Sequence, residues 1–168
     1  GDETVPLLQA HGRVLAGNVA ATRNQPPFDA SAMDGYAVTR VTPGQSLRVI
    51  GEAAAGHGFG GSVFDGEAVR IFTGAPIPQG ANHVIIQEDV TRDGDHILVS
   101  DTPENNTHIR PAGGDFRIGE IIARGRVIAA NDVALMASMN IADGPVRRRP
   151  VVALISTRRW SASRGALP

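Results

Sequence analysis

The sequence of 168 residues has the composition of an ordinary globular protein, with 42% hydrophobic and 20% charged residues. At this length, folding buries about two-thirds of the surface of the unfolded chain, so a well-formed core is expected. The formal net charge of −1 excludes a global field that would recruit nucleic acid or an anionic membrane. A charged ligand must therefore be bound by a local cluster, which favours a small-molecule site and predicts no nucleic-acid or membrane partner.

The sequence contains no cysteine, which excludes a disulfide framework, a thiolate zinc site and a cysteine nucleophile. No apolar run approaches the roughly 18 residues of a spanning helix, and residues 1–4 lack the features of a signal peptide. These features predict a cytoplasmic protein. Because the sequence does not begin with Met, we expect Gly1 to be an internal position of a longer chain.

Twenty glycines and eleven prolines favour many short strands and loops over a helical bundle. In chain order, the pattern predicts a short helical turn over 6–10 and a strand over 13–16. A second helix is predicted over 132–139, with Asn131 as its N-cap and Asn140 in the left-handed conformation at its end. The fold class predicted from these elements is α+β and rich in β-structure.

Short apolar segments bounded by Gly or Asp predict the strands between the two helices. They cover residues 47–50, 68–72, 84–87, 97–99 and 120–123. Asp93-Gly94 suits a tight hairpin turn, which predicts that residues 84–91 pair antiparallel with 96–100. The middle of the chain is thus expected to be a compact β unit.

A change of pattern follows Arg147-Arg148-Arg149-Pro150, a local basic patch that we interpret as a linker. The continuous apolar run over 151–155 is typical of a strand buried on both faces and predicts the start of a further domain. Such a strand needs neighbours, and the residues after it show no periodicity. We therefore expect residues 151–155 to be poorly buried and the tail to be disordered.

Three loop segments, residues 26–37, 70–76 and 109–115, each combine a carboxylate or hydroxyl with adjacent glycine. Glycine lets backbone N–H groups approach an oxyanion, and a neighbouring carboxylate can hold a cation such as Mg²⁺. Taken singly, these signals have simpler explanations. Asp34-Gly35 is more often an Asx-type turn, Thr73 could end a strand, and Asp115 could cap a turn. The five histidines have no metal-ligand spacing and are interpreted as ordinary residues.

Four motifs together resemble the molybdopterin molybdenumtransferases, the MoeA and gephyrin E-domain family. They are Phe28-Asp29-Ala30-Ser31-Ala32-Met33-Asp34-Gly35-Tyr36-Ala37-Val38, Ala68-Val69-Arg70-Ile71-Phe72-Thr73-Gly74-Ala75-Pro76-Ile77-Pro78, Gln87-Glu88 and Ile109-Arg110-Pro111-Ala112-Gly113-Gly114-Asp115. Residues 7–16 also resemble the opening of the family pattern. The resemblance runs from about residue 7 to 157, which is nearly the whole chain.

The resemblance implies a homodimeric enzyme of molybdenum cofactor biosynthesis. Such an enzyme inserts molybdate into adenylylated molybdopterin with a divalent cation, taken here as Mg²⁺, and releases AMP. It further implies a discontinuous N-terminal domain formed by residues 1–20 and 120–150, with a loop-rich β domain over 21–119 inserted between them. Residues 151–168 would then be a truncated start of the pterin-binding α/β domain followed by an aberrant tail.

The resemblance also assigns candidate site residues to this sequence. The catalytic candidates are Asp34, Thr73 and Asp115; the cofactor-binding candidates are Arg70, Gly74 and Arg110; the metal-binding candidates are Asp34, Asp115 and Glu88. Guanidinium donors match tetrahedral oxyanions such as phosphate and molybdate. For Arg70 and Arg110, pairing with nearby carboxylates on the surface is an equally good explanation. For Glu88, the alternative is a solvated residue at the end of a strand.

The sequence departs from its family after Ser156-Thr157, where Arg158-Arg159-Trp160 replace a Gly-Asp-Glu-Leu motif that supplies an acidic active-site residue. This departure has the look of a truncated or frame-shifted product and predicts that the full reaction is lost in this chain. The alternative is a non-catalytic assembly or dimerisation fragment of the same family. An unrelated small-molecule binding domain is disfavoured because it would have no reason to carry all four motifs in order.

Overall fold

A computed structural model describes residues 1–155 and shows a β-rich chain with one α-helix in that range, as predicted. The strands are β1 (Asp2–Pro6), β2 (Val19–Ala20), β3 (Ala30–Ser31), β4 (Gly35–Val38), β5 (Ser46–Ala53), β6 (Glu67–Ile71), β7 (His83–Ile86), β8 (Val90–Asp93), β9 (His96–Val99), β10 (Ile109–Arg110), β11 (Ile121–Ile122) and β12 (Asp143–Arg147). The helix α1 spans Ala130–Ser138, and short 3-10 helices span Leu7–Gln9 and Gln87–Asp89.

The beginning of the chain pairs with the segment that starts at residue 116. Strand β1 runs antiparallel to β12, so that Asp2 lies opposite Arg147, and β2 pairs with β11. The two parts share one hydrophobic cluster, formed by Leu7, Ala10, Leu15, Val19, Ala21, Phe116, Ile122, Ile128, Met136, Met139 and Val146. Since each part buries only one apolar side of its short strands, neither could form this core alone.

The predicted second helix exists, but its N-cap prediction was wrong. The N-cap is Ala129, and Asn131 lies exposed within the first turn. The first turn is stabilised instead by buried Asp132, whose carboxylate accepts from the Ala129 N–H at 2.8 Å and pairs with Arg126 at 2.7 Å. A side chain three residues into a helix that reaches back in this way satisfies one of the free amides of the first turn.

The end of α1 agrees with the sequence prediction. Asn140 has a φ of +63°, and its N–H donates to the Ala137 carbonyl at 3.0 Å. The next N–H, that of Ile141, donates to the Met136 carbonyl at 3.0 Å, which completes a Schellman-type ending. No helix within residues 1–155 is long and apolar enough to cross a membrane.

The largest sheet has six strands in the order β7-β4-β6-β5-β9-β8. Only β5 and β6 are parallel; the other neighbours are antiparallel. Two hydrophobic clusters pack against the sheet, one containing Tyr36, Val38 and Ile85 and the other containing Ala37, Val69 and Val84. Alternate residues of β4 and β7 therefore enter different clusters, as expected for strands whose two faces are both covered.

The predicted hairpin is present, but the pairing predicted for residues 84–91 was largely wrong. Strand β8 pairs with β9 around the two-residue turn Gly94-Asp95, with a φ of +60° at Gly94. Strand β7 instead pairs with β4 at the opposite edge of the sheet. The 3-10 helix Gln87–Asp89 turns the chain between β7 and β8, so the segment predicted to pair as one strand forms two strands with different partners.

Residues 151–155 form no strand, so the strand predicted there was wrong. Val151 is 100% exposed and Leu154 is 95% exposed. The expectation that this segment would be poorly buried is confirmed, because no neighbouring strand covers it within the described part of the chain. The predicted disordered tail and the departure at 158–160 lie outside the described residues.

We expect Asp132→Ala to lower the free energy of unfolding by about 1–3 kcal/mol, because it removes a buried hydrogen-bond acceptor and the partner of Arg126. Asn131→Ala is the matched control one residue away, and it should change stability by less than about 0.5 kcal/mol because Asn131 is exposed. Urea denaturation of the three proteins measures both effects. A larger loss for Asn131→Ala than for Asp132→Ala would restore Asn131 as the residue that caps the helix.

Candidate functional site

The three polar loop segments meet around strand β3. The Ser31 N–H donates to the Ala75 carbonyl and the Ser31 carbonyl accepts from the Gly74 N–H, both at 2.9 Å. On its other side, β3 pairs with β10, where Ile109 lies opposite Ser31. Segment 26–37 therefore lies between segments 70–76 and 109–115, and the fold brings all three together.

Asp34 and Thr73 are held in direct contact. One carboxylate oxygen of Asp34 accepts from both the backbone N–H and the hydroxyl of Thr73, each at 2.8 Å. These two hydrogen bonds, followed by the positive charge of Arg70, lower the pKa of Asp34 below its ordinary value. The carboxylate is thus kept ionised by a residue 39 positions away, which is not the local Asx-type turn that the dipeptide alone suggests.

Gly35 places this carboxylate at the end of the large sheet. It has no positive φ and is the first residue of β4, with Ile71 of β6 and Ile86 of β7 on its two sides. A Cβ atom at Gly35 would lie 2.0 Å from the carbonyl oxygen of Ile85. Glycine is therefore required here by close backbone approach rather than by a turn.

Arg70 contacts the same end of the sheet with its whole guanidinium group. Its Nη1 donates to the Gly35 carbonyl at 3.0 Å and its Nη2 donates to Oε1 of Gln87 at 2.9 Å. The guanidinium carbon lies 4.7 Å from the ring centroid of Phe72 and 5.1 Å from that of Tyr36. Both distances are in the range of cation–π contacts.

Gln87 and Glu88 follow β7 directly and continue this hydrogen-bond network. The Gln87 N–H donates to the Asp34 carbonyl at 3.1 Å, and its side-chain amide donates to Glu88 at 3.2 Å. Glu88 is exposed at the start of the 3-10 helix. Its carboxylate is therefore linked to Asp34 through Gln87.

Arg110 and Asp115 form an exposed ion pair in the third loop segment. One guanidinium nitrogen of Arg110 lies 2.7 and 2.9 Å from the two carboxylate oxygens of Asp115. The loop is shaped by Asp29, whose carboxylate accepts from the Ala112 N–H at 2.7 Å, and by buried Gly113 with a φ of +70°. In this structure Arg110 therefore pairs with a nearby carboxylate, which the sequence indicated as the alternative to binding phosphate or molybdate.

The predicted metal ligands do not form a complete cation site by themselves. Within residues 1–155, no group of three or more His, Asp and Glu side chains is placed to hold a metal ion. Asp34 is engaged by Thr73, Asp115 by Arg110 and Glu88 by Gln87. The described residues thus offer at most single carboxylates to a cation, not a set of three.

Asp29, Ser31 and Gln87 build the site but were not among the candidate residues. Asp29 and Ser31 lie in the same motif as Asp34, and Gln87 lies beside Glu88. Ser31 is 1% exposed and its hydroxyl donates to the Met33 carbonyl at 2.6 Å. The signal that could have indicated them is the density of short polar side chains in each motif, because such side chains commonly fix loop backbones.

The arrangement defines a β-rich module whose sheet end carries polar loops with an ionised carboxylate beside a hydroxyl. A family model described as the MoeA N-terminal region (domain I and II) matches residues 1–140. The chain therefore belongs to the MoeA family, as the four motifs predicted.

Curated relatives and solved structures agree with this assignment. The chain is 38% identical over 162 residues to a molybdopterin molybdenumtransferase of Haemophilus influenzae, covering 92% of this chain and 39% of that protein. It is 36% identical over 170 residues to molybdopterin molybdenumtransferase 2 of Mycobacterium tuberculosis, covering 96% of this chain and 42% of that protein. The chain thus spans about two-fifths of the length of these relatives.

A crystal structure of a molybdopterin biosynthesis MoeA protein from Pyrococcus horikoshii superposes with a TM-score of 0.81 and 37% sequence identity. The match covers 89% of this chain and 42% of that one. The β-rich fold is therefore shared with a solved member of the family.

We expect Thr73→Val to raise the pKa of Asp34, because the variant removes the hydroxyl donor while keeping the backbone N–H. Since folding lowers the pKa of Asp34, its contribution to stability is present above the ordinary aspartate pKa. That contribution is lost as the pH falls through the lowered value. Carboxyl ¹³C NMR titration of Asp34 measures the change, and Thr73→Ser, which keeps the donor, is the control. An unchanged titration in Thr73→Val would contradict the assigned hydrogen bond.

We expect Gly35→Ala to reduce stability by about 1–3 kcal/mol or more, because the new methyl group would overlap a backbone oxygen that cannot rotate away. Gly60→Ala is the matched control, since a Cβ atom at Gly60 meets nothing within 4 Å. Chemical denaturation of both variants measures the difference. Equal stabilities would show that β4 can move away from β7 at little cost.

Proposed function

We propose that this chain acts in molybdenum cofactor biosynthesis and supplies part of the site at which molybdate is inserted into adenylylated molybdopterin. The observation that carries the proposal is the Asp34–Thr73 pair, held at the sheet end where three polar loops meet. The proposal is supported by identity to relatives that are named molybdopterin molybdenumtransferases. In this reaction AMP would be released and the finished cofactor formed.

The site residues are proposed to act through their hydrogen-bonding groups and charges. The Thr73 hydroxyl, next to Gly74, would donate to an oxyanion when the ligand displaces Asp34, and Arg110 would bind phosphate or molybdate when it exchanges Asp115 for the ligand. Asp34 and Asp115 would orient these donors and attract a cation that accompanies the anionic substrates. Exposed ion pairs of this kind are weak, so ligand oxygens can replace them at little cost.

Mg²⁺ remains a prediction from the family resemblance. The described residues offer Asp34, Asp115 and Glu88 as oxygen ligands but no complete set of three. A bound Mg²⁺ usually keeps several waters and takes ligands from substrate phosphates, so one or two protein carboxylates are enough for a substrate-borne cation. We propose that any Mg²⁺ arrives with the substrate and contacts these carboxylates singly.

We further propose the domain arrangement in which residues 1–20 and 120–150 form one domain and residues 21–119 are inserted into it. The pairing of β1 with β12 and of β2 with β11 supports this division. Residues 151–155 would begin a further domain, which is supported by their apolar and exposed side chains. A homodimer and a cytoplasmic location are proposed from the family resemblance, and the absence of cysteine is compatible with a reducing compartment.

The proposal can be tested in a chimera in which residues 1–140 replace the matching region of the Haemophilus influenzae relative. We expect the chimera to convert adenylylated molybdopterin and molybdate, with Mg²⁺ present, into cofactor and AMP. Asp34→Asn in the chimera should reduce the rate at least about tenfold, since it removes a charge from the site. AMP release measured by chromatography reports the rate.

Asp93→Asn is the matched control, because Asp93 is an exposed aspartate in the β8–β9 hairpin. It should leave the rate of the chimera unchanged. A folded chimera in which Asp34→Asn and Asp93→Asn were equally active would contradict the proposed role of Asp34. A folded chimera without activity would contradict the proposal that this region supports the reaction.

A further inference from the structure

We infer that Arg70 is a positioning residue that holds the Asp34–Thr73 pair in place, rather than a ligand of phosphate or molybdate. The inference rests on the proposed function, because it concerns the site in which Asp34 and Thr73 act. Arg70 lies near the end of β6. Its side chain donates hydrogen bonds to Gly35, the first residue of β4, and to Gln87, the residue after β7; within residues 1–155 no other side chain hydrogen-bonds to both of these strand ends. Arg70 thereby joins the three strand ends that carry Asp34, Thr73 and Gln87.

The hydrogen bonds of Arg70 reach the two successive carbonyls that follow the Asp34 side chain, one directly and one through Gln87. Its Nη1 donates to the carbonyl of Gly35, which is the residue after Asp34. Its Nη2 donates to the side chain of Gln87, whose backbone N–H donates in turn to the carbonyl of Asp34. The two peptide groups that follow the Asp34 side chain are thus fixed through one guanidinium group.

The aromatic rings hold the guanidinium in this orientation. Tyr36 lies opposite Arg70 in the register of β4 and β6, and Phe72 lies two residues further along the chain, so all three side chains share one face of the sheet. Tyr36 is 4% exposed, so it cannot turn away without opening the core. A guanidinium with rings nearby and protein acceptors on both terminal nitrogens has little freedom to follow a ligand.

The positive charge of Arg70 also helps to keep the Asp34 carboxylate ionised. Thr73 follows β6 by two residues, and its N–H and hydroxyl point to the Asp34 carboxylate. Removing Arg70 would therefore change both the backbone frame and the electrostatic environment of Asp34. A residue that only bound a ligand would leave the ligand-free geometry of this pair unchanged.

The test compares Arg70→Met, which removes charge and donors, with Arg70→Lys, which keeps the charge but cannot reach both acceptors in the same geometry. Arg48→Met is the matched control, because Arg48 lies on the neighbouring strand β5 and pairs with Glu67 at 3.0 Å. In ligand-free protein, NMR measures the pH midpoint of the Asp34 carboxyl carbon and the chemical shift of the Thr73 amide.

We expect Arg70→Met to raise the Asp34 midpoint and to move the Thr73 amide signal towards that of an unbonded amide. Arg70→Lys should recover part of the midpoint shift but not the amide signal, and Arg48→Met should change neither. Gln87→Met, at an exposed position, tests the same network with less risk to folding and should move the Thr73 signal in the same direction. Unchanged Asp34 and Thr73 signals in both Arg70→Met and Gln87→Met would overturn the inference.

Titration with inorganic molybdate supplies the second readout. If Arg70 positions the pair, its side-chain Nε–H signal stays in place while backbone signals of segments 70–76 and 109–115 respond. A response of the Arg70 side chain, together with loss of binding in Arg70→Met and an unchanged Asp34 midpoint, would overturn the inference in favour of a direct ligand. Absence of any molybdate response would count against the proposed function alone, because the ligand-free titrations decide the role of Arg70 independently.

Discussion

The close approach of strand β4 to β7, with β6 paired on its other side, is the constraint on which the site depends. Gly35 begins β4 between β6 and β7, with no room for a side chain against the Ile85 carbonyl. Because β6 and β7 both run antiparallel to β4, with Ile71 and Ile86 opposite Gly35, the residue before Gly35 and the residues after Ile71 and Ile86 emerge at the same end of the sheet. Asp34, Thr73 and Gln87 therefore become neighbours although they are far apart in sequence. The polar site is therefore a consequence of the strand register of an apolar sheet.

The fold could be predicted from sequence where the signal was local. The helix α1, the β8–β9 hairpin and the left-handed Asn140 each follow from a few consecutive residues. The pairing of β7 was not predicted, because the polar residues 87–89 mark a break after the apolar run 84–86 but do not show which strand that run pairs with. Strand partners are decided by which surfaces remain uncovered after the whole chain has packed, and this information is not present in any one segment.

The sequence singled out the three loop segments that the structure brings together, but it did not predict the contacts among them. The motifs singled out Asp34, Thr73, Arg70 and the 109–115 loop, and the structure joins these segments around β3. The sequence could not show that Asp34 bonds to Thr73 rather than to its own turn. It also could not show that Arg70 is already engaged by Gly35 and Gln87, since side chains with the same chemistry can bind either a ligand or the protein. Only the register of β4, β6 and β7 decides between these possibilities.

The antiparallel pairing of β1 with β12 has a mechanical consequence. The start of β1 lies beside the end of β12, with Asp2 opposite Arg147, so a force that separates residue 1 from residues beyond 147 acts at the same end of both strands. Such a load breaks the inter-strand hydrogen bonds one after another instead of shearing them together. This ribbon can therefore yield stepwise under tension, while the six-stranded sheet, which contains neither strand, keeps the Asp34 loop at the end of β4.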